Sequence, residues 1–117
     1  MPGFKDILRR KSERKARLQK SLDQIVVQLK SLGALKIIVF GSFAIDKVDV
    51  DSDLDLFVVM PSTRTGKEWM DLIYDTIDRK VASDIVVYND EEFKDMLPAS
   101  RFLQNVVKGN VVYEKAA

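Results

Sequence analysis

The stretch GSFAIDKVDVDSDLDLFVV, residues Gly41–Val59, decides how this chain folds. Asp49, Asp51, Asp53 and Asp55 fall at alternate positions, and the last two run directly into an apolar segment. Asp53 and Asp55 alternate with Leu54 and Leu56, which is the period of a β-strand. Both carboxylates therefore share one face of the strand and the leucines take the other. A calcium loop of the EF-hand type needs Gly at its sixth position and Glu at its twelfth. Counting from Asp49 these positions hold Leu54 and Met60, and counting from Asp51 they hold Leu56 and Ser62, so neither register fits. Asp49 and Asp51, ahead of the strand, read as a solvated turn. Asp53 and Asp55 read differently. Carboxylates two residues apart on a strand stand roughly 7 Å apart at the backbone, repel one another when empty, and can converge on divalent cations.

Outward from this strand, residues 53–60, the pattern is regular. "LKIIVF", residues 35–40, is a short apolar strand that ends at Gly41-Ser42. A glycine there lets backbone approach a ligand closely, and the serine hydroxyl can donate to a phosphate oxygen. Residues 43–47 are expected to form a short helix or turn. Pro61 ends the second strand, and Thr65 with Glu68 forms a capping box for an amphipathic helix over 66–80. A third strand covers 84–88, Asn89 with Glu92 caps a helix over 90–97, a further helix spans 99–108, and a last strand covers 111–114. Upstream, Leu18, Leu22, Ile25, Leu29 and Leu32 make one apolar stripe of a long helix over 5–32, with Gly33 as its cap. Residues 9–17 of that helix are nearly all polar, so its first half is expected to project from the body. Strands alternating with helices predict an α/β or α+β fold, a small sheet with helices packed on it. The domain expected is a single one over 1–117, with a basic helix (1–32) ahead of a catalytic core (33–117).

Composition narrows the chemistry. The 117 residues contain no histidine and no cysteine, which leaves carboxylates, bases, hydroxyls or a hard cation for catalysis. No apolar run is long enough for a bilayer and the basic N-terminus lacks an apolar signal segment, so a cytoplasmic protein without membrane contact is expected. Residues 1–30 carry nine Lys/Arg against three Asp/Glu, while residues 31–117 carry ten against fifteen. The basic arm reads first as a solvated helix face and otherwise as a surface for nucleic acid or an acidic partner, but no aromatic platform or reading element for nucleic acid accompanies it.

Gly41-Ser42, the ten residues 43–52, and Asp53-Leu54-Asp55 together resemble the signature of the DNA polymerase beta-like nucleotidyltransferases. Over residues 21–114, including the "FLQNVVKGNVVYE" ending, the chain is similar to the minimal, MntA-like members of that superfamily. The resemblance implies a third carboxylate at Asp84, in "ASDIVVY", completing a metal set of Asp53, Asp55 and Asp84 for two Mg²⁺ ions. It implies a nucleoside triphosphate, ATP, with its phosphates at Gly41 and Ser42, and transfer of the nucleotide to a hydroxyl. It further implies a role as antitoxin, with a tyrosine of a HEPN-type partner protein as acceptor. One position departs from the pattern: relatives often read Gly-Ser-x-Ala-Arg-Gly, and this chain has Ile45 and Asp46 in the last two places. Lys47 is the nearby base that could stand in for the arginine. The alternative reading is a module of the same fold that neutralises a partner by contact alone.

Overall fold

The computed structural model describes residues 3–49, 52–78 and 83–116. Leu18, Leu22, Ile25 and Leu29 recur at helical spacing and are all buried on one face of α1 (Phe4–Leu32). The helix stops where Gly33 adopts a left-handed φ of 102°, with Gly33 N–H donating to Lys30 O and Ala34 N–H to Leu29 O, both at 3.0 Å. This pair of bonds satisfies carbonyls that the helix end leaves open.

The chain then runs through β1 (Lys36–Phe40), α2 (Gly41–Ala44), β2 (Leu54–Met60), α3 (Gly66–Thr76), β3 (Ser83–Asn89), α4 (Asp90–Met96), α5 (Arg101–Val106) and β4 (Asn110–Glu114). The four strands form one mixed sheet in the order β3-β2-β1-β4. β1 pairs antiparallel with β2 and with β4, whereas β2 and β3, joined through α3, run parallel. The fold is thus α+β with a mixed sheet and a long N-terminal helix.

Side-chain alternation splits the core into two layers. Ile37 and Val39, Leu54, Leu56, Val58 and Met60, and Ile85 and Val87 face α1 and α3. Ile38, Phe57 and Val59 face the other way, against Leu103, Val106, Phe93 and Leu97 of α4, α5 and the turn between them. Phe57 anchors this second layer, its ring 5.3 Å from that of Tyr88 and 5.6 Å from that of Phe93.

Several expectations are modified, and the helix expected over 99–108 is the shorter α5, Arg101–Val106. Helix α2 starts at Gly41 itself, two residues earlier than expected. Helix α3 ends at Thr76, because Ile77 turns to an extended ψ of 129° and buries its side chain; the expected residues 79–80 lie outside the described residues, as does Asp51. The polar stretch of α1 does not project throughout. Phe4, Ile7 and Leu8 are exposed, but Lys11, Arg14 and Lys15 reach the segment that joins α2 to β2. Ion pairs can hold a helix face that carries no apolar stripe. Among the described residues no helix is long and apolar enough to cross a membrane.

Candidate active site

Parallel pairing of β2 with β3 sets Asp55 directly opposite Asp84, with Leu54 opposite Ser83 one step before. Residues paired in register point to the same face, so both carboxylates emerge on the side of the sheet that carries Phe57 and Val86 further along. Here the apolar face is interrupted: Phe57 is fully buried, Asp55 partly exposed and Asp84 exposed. Asp53 stands one residue ahead of β2 and is exposed. Burial first, then the charges of Asp84 and Asp53, push the Asp55 carboxyl above its usual range.

β1 ends at the same place, since Phe40 pairs with Asp55. The next residue, Gly41, takes a left-handed φ of 76°, and a Cβ built on it would lie 2.2 Å from Asp55 Oδ2. A side chain at this position would have to push that carboxylate aside. The glycine therefore lets the start of α2 lie against the acidic pair, for reasons of both conformation and space.

Ser42 connects to the far end of the same segment. Its Oγ lies 3.3 Å from Ser52 Oγ, which also accepts the Asp49 N–H at 2.7 Å. Lys47 N–H donates to Ser42 O at 2.9 Å, and Asn110 Nδ2 donates to Ala44 O at 3.0 Å, bringing β4 onto α2. Asp46 adopts a positive φ of 56° and pairs with Lys15 of α1, while Lys11 lies 4.0 Å from Asp49. Ser52 N–H in turn donates to Asp49 O at 3.1 Å.

Arg14 is the residue that sequence reasoning passes over. Its Nε donates to Ser52 O at 2.8 Å and its Nη2 to Asp53 Oδ1 at 3.2 Å, and its side chain is 19% exposed. It lies in the polar half of α1, 39 residues from Asp53, and no periodicity links the two. Lys47, the expected base, is exposed, and among the described residues it forms no ion pair with the acids of the site.

The donor set suits a hard divalent cation: all-oxygen ligands, two of them facing across adjacent strands, with mutual repulsion that a cation relieves. Among the described residues no three acidic side chains are already closed into a ligand cage; Asp53 is engaged by Arg14 instead.

Residues 20–112 match the nucleotidyltransferase domain family, and the chain belongs to that family. No curated protein matches it by sequence. Its fold is similar to that in a 1.40 Å crystal structure of a Sulfolobus solfataricus protein assigned as a nucleotidyltransferase. The two share 20% identity with a TM-score of 0.66, over 91% of this chain and 88% of the other.

Proposed function

We propose that this nucleotidyltransferase-family protein transfers AMP from ATP to a hydroxyl acceptor, with Asp53, Asp55 and Asp84 as its catalytic and metal-binding acids. The observation that carries the reading is the register of β2 on β3, which opposes Asp55 to Asp84 directly beside Gly41. Bound at these three acids, two Mg²⁺ ions would supply charge neutralisation for the attacking and leaving oxygens. The start of α2 and the Ser42 hydroxyl hold the phosphates, and Gly41 lets them approach. Asp84 accepts the proton of the acceptor hydroxyl. The acceptor oxygen forms a bond to the α-phosphorus, the bond from that phosphorus to the β-phosphate oxygen breaks, and pyrophosphate leaves. Such a reaction rests on positioning and electrostatics, which suits a chain with no histidine.

For the acceptor, the likeness to the minimal nucleotidyltransferases favours a tyrosine of a HEPN-type toxin, so that transfer makes this protein an antitoxin. The reading is tested with radiolabelled ATP and Mg²⁺, with and without the product of the neighbouring gene. Label should pass to that protein with wild type and fall at least a hundredfold with Asp53→Asn. Equal labelling by the variant would rule the mechanism out. The Arg14–Asp53 pair favours one second reading, a contact-only module whose acidic site stays closed by its own helix; a stable complex without transfer would mark it.

A further inference from the structure

We propose that Arg14 is the phosphate-binding cation of this site, held on Asp53 while the site is empty and passed to the triphosphate when it is loaded. The inference rests on the nucleotidyl-transfer reading above and adds a residue from a different element. Charge balance motivates it. Asp53, Asp55 and Asp84 together with a triphosphate concentrate far more negative charge than the strands can offset. Among the described residues near this end of the sheet, Lys15 is committed to Asp46 and Lys11 approaches Asp49. Arg14 is the base that touches an acid of the set.

Its geometry suits the task. The Nε–H is spent on Ser52 O at 2.8 Å, which anchors the guanidinium at the neck of the segment. Ser52 in turn lies against Ser42, Oγ to Oγ 3.3 Å, so the guanidinium stands one residue from the serine that would hold the phosphates. Of the five donors of a guanidinium, the 2.8 Å and 3.2 Å bonds use two. The remaining donors form the planar fork that matches phosphate oxygens in pairs. The side chain is tucked to 19% exposure where Arg9 and Lys15 keep 68% and 51%, so it is not a solvated helix charge. Nη2 occupies Asp53 Oδ1, where a cation would also bind. Arg14 and a divalent ion therefore compete in the empty protein, while Arg14 and a triphosphate attract in the loaded one.

That gives opposite signs for two measurements on the full chain. Mn²⁺ binding without nucleotide is followed by the electron paramagnetic resonance of the free ion, and ATP binding in Mn²⁺ by calorimetry. Arg14→Gln should bind Mn²⁺ alone two- to fivefold more tightly and ATP about tenfold more weakly, with Arg14→Lys intermediate for ATP. A variant in which both affinities fall together, or neither changes, or only metal binding weakens, overturns the proposal, because a residue that merely holds the loop would act so. Urea midpoints confirm that each variant is folded. Wild-type protein that binds neither Mn²⁺ nor ATP removes the underlying nucleotidyl-transfer reading, a result distinct from any of these.

Discussion

Asp55 sits where β2 would otherwise extend the apolar face begun by Phe57 and Val59, and the cost shows in its raised pKa. A carboxyl raised by folding binds its proton more tightly in the native state than in the unfolded chain. Its contribution to stability is whole below the unfolded value and is lost as pH rises through the raised folded value. Metal-free protein should therefore lose part of its stability across that interval. Asp55→Asn should remove this loss and raise the unfolding free energy at neutral pH, measured by urea denaturation, by no more than about 1 kcal/mol because solvent screens a partly exposed group. An unchanged pH profile in the variant would contradict the electrostatic picture. At the residue scale the sequence is informative about Asp55, since alternation with Leu54 and Leu56 assigns its face by the strand period alone, whereas Asp53 stands just ahead of the strand. It is silent about Arg14, whose partners at Ser52 and Asp53 are brought near only by the packing of α1.

The starts of α3 and α4 are legible in the sequence because a capping box is local chemistry, whereas α2, which has no side-chain cap, starts earlier than expected. Thr65 Oγ1 accepts from Glu68 N–H at 3.1 Å and Glu68 Oε1 from Thr65 N–H at 3.0 Å, as the capping-box spacing requires. Asn89 and Glu92 repeat the device at α4, and Glu92 Oε1 also accepts the Gly66 N–H at 2.9 Å. One carboxylate thus ties the starts of α3 and α4 together. Glu92→Ala should cost about 1–2 kcal/mol in urea unfolding. It should leave Mn²⁺ affinity unchanged, since Asn89 and Met60 lie at the opposite end of the paired strands from Asp55 and Asp84. A loss of metal binding equal to the loss of stability would show that the two ends are not independent. Strand direction and partners are not legible. The parallel match of β2 to β3 and the antiparallel return of β4 onto β1 depend on contacts between distant segments, which carry no local signature.

In the whole molecule, two helical layers enclose the sheet and leave one end of it to the acids. α1 and α3 cover one face, α4 and α5 the other, and the second layer closes over Phe57 while Asp55 and Asp84 remain accessible. The molecule is elongated, 51 × 30 × 24 Å, and the 29 residues of α1 would span about 44 Å. The same helix buries Leu18 to Leu29 in the core and carries Arg14 to the site. Core and site are thus built from one scaffold: the strands that bury Leu56 and Ile85 also fix the distance between the acids. Asp84 is the sharpest probe of that arrangement, because it comes from a different strand than Asp53 and Asp55. Calorimetric titration of ATP in Mg²⁺ should show binding by wild type, loss of that binding in EDTA, and at least tenfold weaker binding by a folded Asp84→Asn variant. ATP binding that is indifferent to both Mg²⁺ and Asp84 would contradict a single three-carboxylate site.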